Sequence, residues 1–370
     1  MAIAYQTPLP APYPSLTEQE MRDRIKEVRN YFGKKLVVLA HHYQRPEIVE
    51  LSDVRGDSLQ LAQYAAQQTE ADYIVFCGVH FMAEGADILK TGKQLVVLPD
   101  LGAGCDMADM ADADDVIDAW EQLVEVVEHE SIMPVTYVNS SASLKAFVAE
   151  KGGVICTSSN AGKIVDWALQ ERKILFFYPD QHLGRNTAKK LGIPLSEMNL
   201  WDPKKNYGGL TPEQIKQTKV MLWQGCCPVH MMFSAKQIDI IRAKDPEFKI
   251  ISHPECAMEV VDKSDCSGST DFIVKTIAAS PAGSKWAVGT ELNLVNRIAK
   301  ENPDKKVVSI NPFMCLCGTM NRIDLPHLTW ALEQIRQGTP QNVITVTEPT
   351  RSLAKQALER MLEMSVTLNR

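Results

Sequence analysis

Short apolar runs alternate with longer amphipathic stretches along most of the chain. The apolar runs are Leu36–Leu39, Tyr73–Cys77, Leu95–Leu98, Val135–Val138, Gly153–Cys156, Ile174–Tyr178, Lys249–Ser252, Trp286–Val288 and Lys306–Ile310. Between them apolar residues recur at helical spacing over Ser58–Gln68, Phe81–Thr91, Asp112–His129, Ser141–Glu150, Gly162–Gln170, Ala235–Lys244, Thr270–Ala279 and Leu292–Lys300. Near-continuous apolar strands separated by helices predict parallel sheets covered on both faces, an α/β fold. Thr17 and Glu20 form a capping-box pattern that starts a helix running to about Tyr31. Beyond Gly338 the pattern predicts an edge strand at Val343–Val346. A final helix follows from about Thr350, with Leu353, Ala357, Leu358, Met361 and Leu362 on one face.

The nine strands fall into three sets of three, each with a polar tip after its first strand and a Pro-containing tip followed by cysteine after its third. The expected organisation is a mobile Pro-rich arm over 1–15 and α/β domains over 16–106, 107–225 and 226–337. A tail and helix occupy 338–370, and Trp201–Pro212 reads as an irregular insertion. Ligands of parallel sheets bind beyond the carboxyl ends of strands, so three such ends meeting would enclose one active site.

Composition narrows the function. Of 370 residues, 39 are Lys or Arg and 46 are Asp or Glu, a net charge of −7 that argues against work on nucleic acid backbones. No apolar run approaches the ~18 residues that a bilayer span needs, so no membrane role is expected. The N-terminal stretch carries prolines at 8, 10, 12 and 14 and lacks the basic and apolar regions of a secretory signal, which points to the cytoplasm.

Nine cysteines then need a reason, being odd in number and too sparse for a disulfide scaffold. Cys77 and Cys156 sit inside apolar strands and read as inert buried thiols. Cys256 and Cys266 read as incidental. Cys105 lies in a glycine-flexed loop before an Asp-rich helix, where a thiolate is favoured. Cys226–Cys227 and Cys315-x-Cys317 are poor local zinc chelates, and no ferredoxin run is present. One thiol per set remains: Cys105, one of Cys226 and Cys227, and one of Cys315 and Cys317. Three such thiolates suit a [4Fe–4S] cluster with one iron left open to act as a Lewis acid.

The ordered motifs HHYQRPEI, GDSLQLA, CGVHFMAE, LPDLGAGC, YVNSSA, TSSNAG, GCCPVH, HPEC, GST and CGTMNRIDL resemble the quinolinate synthase family over roughly residues 20 to 335, with features of its Bacillus-type branch. The resemblance implies three pseudo-threefold-related α/β domains around a [4Fe–4S] cluster. It also implies a condensing enzyme of NAD biosynthesis that joins iminoaspartate to dihydroxyacetone phosphate, releasing phosphate and water. The family's Gly-x-Cys-x-Val-His pattern places the second cluster ligand on Cys227. A cysteine eight residues before a leucine places the third on Cys317, beside Cys105 as the first. Cys226 and Cys315 are then spare thiols.

The same resemblance assigns substrate contacts to His41, Ser58, Tyr137, Asn139, Ser158, His253, Glu255 and Thr270, and places Tyr43 near the reacting intermediate. Taken alone, Ser58, and Ser158 with Ser159 and Asn160, read as helix N-caps. Tyr137 and Asn139 alternate on a strand end and so face one side. His253 and Glu255 project alike from a strand tip, giving an imidazole that titrates near ~6.5 and a desolvated carboxylate. Glu255 is the principal acid–base candidate, His253 a substrate ligand or second acid–base group, and His230 a support. The instability of iminoaspartate suggests a transient contact with an L-aspartate oxidase that supplies it. Rival readings are a hydro-lyase acting on a single hydroxy acid, an iron–sulfur sensor and a structural zinc module.

Overall fold

The computed structural model describes residues 6–313 and 316–367. The Thr17–Glu20 box is present in full: Glu20 N–H donates to Thr17 Oγ1, Glu20 Oε2 accepts from Thr17 N–H, and the helix runs Glu18–Phe32. Fourteen strands form among the described residues, in three sheets.

The first sheet has β1 (Leu36–His41) between β2 (Val54–Gly56) and β3 (Tyr73–Cys77), with β4 (Leu95–Val97) beyond β3, all parallel. The second has β5 (Ile132–Tyr137) between β6 (Val154–Cys156) and β7 (Ile174–Tyr178). Two further parallel strands follow, β8 (Met198–Trp201) at the edge and β9 (Val220–Trp223) against β7. The third has β10 (Lys249–Ser252) between β11 (Cys266–Ser267) and β12 (Lys285–Gly289), with β13 (Lys306–Ser309) outermost. The last strand, β14 (Val343–Ile344), is antiparallel to β4 and closes the first sheet's edge.

All three sheets therefore share the order second–first–third, with a short second strand; the third strand then pairs with the fourth in the first and third sheets and with the fifth, β9, in the second. This revises the sets of three, because β6 matches β2 and β11 and does not match β3. The strands at 54–56, 220–223 and 266–267 were too short or too weakly alternating to stand out. In the corrected alignment each strand position carries its own chemistry. His41 and Tyr137 end first strands, and Asn139, His253 and Glu255 lie just beyond them. Ser58, Ser158 and Thr270 follow second strands. Cys105, Cys227 and Cys317 come after the strands that pair with the third, β4, β9 and β13.

The chain folds as two compact units. The first comprises Met1–Cys105, Leu292–Leu294 and Cys315–Thr347, and the second the remainder. The core strands β1, β5 and β7 are buried along their whole length. Burial of each Val, Leu, Ile or Phe in them contributes about 1.5–3 kcal/mol. Residues 6–15, expected to be mobile, are anchored on the first unit: Tyr13 is buried and its hydroxyl donates to Glu333 Oε2 at 2.6 Å, and Gln6 Oε1 accepts from Leu101 N–H and Asn342 Nδ2. The 201–212 insertion is ordered around a turn at Asn206–Gly209, with Gly208 at φ 63° under the Trp201 ring and Tyr207 O–H donating to Glu125. Among the described residues no helix is long and apolar enough to cross a membrane.

Candidate functional site

In the first unit, His41 ends β1 and is buried. Its ring meets Tyr43 edge-on at 4.8 Å, and His41 Nδ1 accepts Tyr43 N–H at 3.2 Å. That bond makes Nε2 the protonated nitrogen when the imidazole is neutral. Asn293 donates to the Tyr43 carbonyl at 3.1 Å and to Asn321 Oδ1 at 3.3 Å, and Asn321 donates through both N–H and Nδ2 to the Cys317 carbonyl. A polar chain thus runs from the Tyr43 backbone to the Cys317 loop.

The loop that carries Cys105 is tied to the same segment. Asp100, 1% exposed, pairs with Arg322 Nε at 3.0 Å and accepts hydrogen bonds from Arg322 Nη2 at 3.3 Å and Gly102 N–H at 2.7 Å. A Cβ on Gly102 would fall 2.4 Å from Arg322 Nε, so only glycine lets the guanidinium lie flat on the loop. Cys105 and Cys317 are both half-buried.

The hydroxyls expected to act as caps do not. Asp57 caps the helix that Ser58 begins, and Ser269 caps the helix that Thr270 begins. Ser158 precedes Asn160, which occupies the cap position of Ala161–Glu171 and takes Thr157 N–H at 2.6 Å. Neighbours therefore cap the helices that Ser58 and Thr270 begin, whereas the helix after Ser158 has no side-chain cap bond.

The second unit holds the most concentrated chemistry. Glu255, 3% exposed, accepts Tyr137 O–H on Oε1 at 2.7 Å and meets His230 Nδ1 with Oε2 at 2.9 Å. His253 stacks on His230 with ring centres 4.6 Å apart, and its Nδ1 lies 3.7 Å from Glu255. The other nitrogen of His230 faces Thr290 Oγ1 at 3.3 Å. One ligand atom from each of Cys227, His230 and Glu255 lies within 4.8 Å of the others. Asn139 brings a buried Oδ1 that has no hydrogen-bond partner among the described residues, at the tip Tyr137 also serves. A buried unsatisfied amide is costly unless a ligand completes it.

Electrostatics assign the protons. Burial pushes His253 down to about 3, so it is neutral at physiological pH and does not titrate near 6.5 as the sequence suggested. Burial works to raise Glu255, but the adjacent imidazoles of His253 and His230 and the bonds from His230 and Tyr137 prevail and hold it well below the usual carboxylate range. Asp180 is raised, by burial first and the Glu255 charge second, so of these two buried carboxyls Glu255 takes the charge and Asp180 the proton.

Asp180, Asn186 and Thr290 were missed in the sequence. Asp180 caps Gln181–Lys190 through His182 and Leu183 N–H and forms a parallel bridge with Gly225, at the start of the Cys227 loop. Asn186 donates to the carbonyls of Pro254 and Cys256, both at 2.8 Å, bracketing Glu255. An Asp before a helix was a readable cap signal; its reach to the Cys227 loop was not.

The remaining thiols behave as expected of bystanders. Cys77, Cys156 and Cys256 are buried and pushed up by desolvation. Burial also raises Cys226, favouring its protonated form, and Cys266 is raised by burial and Asp265. Cys315 lies outside the described residues.

Comparison with known proteins matches residues 23–363 to the family model described as NadA, quinolinate synthetase A protein. The chain is 54% identical over 363 residues to a quinolinate synthase of Listeria innocua, covering 97% of this chain and 98% of that one. It is 54% identical over 357 residues to one of Anoxybacillus flavithermus, covering 96% of each. A quinolinate synthase of Bacillus anthracis is 52% identical over 361 residues, covering 97% of each chain.

Proposed function

The chain belongs to the quinolinate synthetase A family and makes quinolinate on the de novo route to NAD; we propose that it condenses iminoaspartate with dihydroxyacetone phosphate, with Glu255 as principal acid–base group. The observation that carries the assignment is the environment of Glu255: an ionised, buried carboxylate with a hydroxyl donor on one oxygen and an imidazole on the other. Such a group can take a proton from the carbon of iminoaspartate that forms the new bond and return it to a leaving oxygen. Neutral His253 offers a hydrogen bond without competing for that proton. Tyr137 holds the carboxylate in place, and the unsatisfied amide of Asn139 suits a substrate donor group.

His41, Ser58, Ser158 and Thr270 are assigned to substrate binding. Ser58 and Thr270 begin helices, where carboxylate or phosphate groups are favoured by the exposed N–H ends. Tyr43 is assigned to the reacting intermediate, its backbone held by Asn293.

Cys105, Cys227 and Cys317 are the proposed ligands of a [4Fe–4S] cluster. Three thiols, each placed after the strand that pairs with the third strand of its sheet, fit a cluster that keeps one iron without a protein ligand. When bound, that cluster supplies Lewis-acid chemistry toward substrate oxygen. A reducing cytoplasm suits the free thiols of Cys77, Cys156, Cys226, Cys256 and Cys266. A transient contact with the oxidase that generates iminoaspartate is proposed from that substrate's instability.

The test is stoichiometry. Anaerobically prepared protein given iminoaspartate and dihydroxyacetone phosphate should release quinolinate and phosphate in equal amounts. Turnover of a single hydroxy acid with no triose phosphate would favour the hydro-lyase reading instead.

A further inference from the structure

We propose that the chain, when it lacks its iron–sulfur cluster, binds one divalent transition-metal ion such as zinc at Cys227, His230 and Glu255. The inference rests on the preceding reading only in that Cys227 is the thiol assigned there to the cluster. The geometry belongs to the second unit alone.

The donor set is sulfur, nitrogen and carboxylate oxygen, the mixture that zinc takes in four-coordinate sites. The three ligand atoms already lie within 4.8 Å of one another. In a tetrahedral site with bonds of about 2.0–2.2 Å to nitrogen and oxygen, those two atoms stand about 3.3 Å apart. His230 Nδ1 and Glu255 Oε2 are at 2.9 Å, so admitting an ion needs a few tenths of an ångström of widening.

Outer partners complete the argument. A ligating histidine usually gives its second nitrogen to a fixed acceptor, and a ligating carboxylate is itself hydrogen-bonded. Here His230 Nε2 faces Thr290 Oγ1, and Glu255 Oε1 accepts from Tyr137. The backbone of Cys227 is held by Met231, whose N–H donates to its carbonyl at 3.1 Å. All three ligands thus have an orienting partner, which an accidental cluster of polar groups does not require. His230 and Glu255 are almost fully buried.

On binding, the Cys227 thiol loses its proton to solvent and the sulfur bonds to the ion. With only three protein ligands, a water takes the fourth position. Two consequences follow for the enzyme: the ion withholds one thiol from cluster assembly, and it ties up the principal acid–base carboxylate. Zinc excess would therefore oppose maturation of the chain.

The experiment uses the full-length chain, freed of iron anaerobically with a chelator, and Co²⁺ as a coloured probe. One Co²⁺ per chain is expected, with a thiolate-to-cobalt charge-transfer band that Zn²⁺ abolishes. Cys227→Ser should lose the band, while Cys105→Ser and Cys317→Ser should keep it. Loss of outer partners costs about 10–100-fold in metal affinity, so Thr290→Val should weaken Co²⁺ within that range and His230→Ala by at least as much. Circular dichroism of each metal-free variant checks that it folds.

Absence of uptake by the folded wild-type chain overturns the proposal, as does a band that survives in folded Cys227→Ser. Loss of the band in Cys105→Ser or Cys317→Ser would mean that the ion uses the three-cysteine set, which also overturns it. Iron and sulfide after reconstitution keep the two readings apart. Cluster loss in Cys105→Ser without cobalt binding by the wild type sinks this proposal alone. Cobalt binding together with an intact cluster in Cys105→Ser sinks the cluster assignment alone.

Discussion

The hydroxyl of Tyr137 donates to Glu255 Oε1 across 2.7 Å, joining two first-strand tips that lie 118 residues apart in the chain. With His230 on the other oxygen, the carboxylate has no freedom to rotate away from its task.

Glu255→Gln keeps the shape of the side chain and removes the base. Turnover should fall by about 10²–10⁴-fold, the usual contribution of a positioned acid–base group, while the visible absorbance of the reconstituted cluster stays. Loss of that absorbance together with activity would make Glu255 structural.

Asn186 brackets the same residue from behind, with both amide hydrogens given to the carbonyls of Pro254 and Cys256. Asn186→Asp is nearly isosteric but turns two donors into acceptors facing two carbonyls. Each buried carbonyl left unpaired costs about 1–3 kcal/mol. Urea unfolding should show a loss of that order, and kcat should fall more than KM rises. A variant as stable and active as wild type would reduce Asn186 to a space-filler.

The cysteine register is open to a direct count. Cys105→Ser, Cys227→Ser and Cys317→Ser should each lower bound iron and acid-labile sulfide to near background, whereas Cys226→Ser and Cys315→Ser should retain both. The reverse pattern at 315 and 317 would place the third ligand two residues earlier.

His182, half-buried beside Arg185, is pushed down to about 4 by burial and then by that guanidinium. A depressed imidazole is neutral in the folded chain while the unfolded chain takes up a proton near ~6.5. Stability is then full above pH ~6.5 and is lost as pH falls toward 4. Denaturant midpoints between pH 7 and 4.5 should drop less for His182→Gln than for the wild type. Equal slopes would refute the assignment.

Local signals in the sequence reached far into this molecule. The Thr17–Glu20 box and the apolar strands needed only neighbours a few residues away, and the structure has both. What failed was whatever depended on pairing across the chain. The two-residue β11 has too little alternation to register, so the matching of second strands in all three sheets stayed hidden. The proximity of His230 to Glu255 and of Asn186 to Pro254 comes from strand ends and helices brought together by tertiary packing, which no spacing encodes. The shift of His253 has the same origin, since burial, not residue type, removes its proton.

The closing helix, Thr350–Thr367, packs Ala354, Ala357, Leu358 and Met361 into the second unit, against Ala142–Glu150 and β6. Its Ser365 takes a hydrogen bond from Asn160 at 2.8 Å, and Asn160 in turn holds Thr157 at the start of the Ser158 turn. During synthesis Ser158 leaves the ribosome more than half a chain before Ser365 does. The earliest-made parts of the second unit must therefore wait, with an apolar face uncovered, for this helix to be translated. A ribosome stalled before the codons of that helix would leave a chain whose Ser158 turn has not been locked.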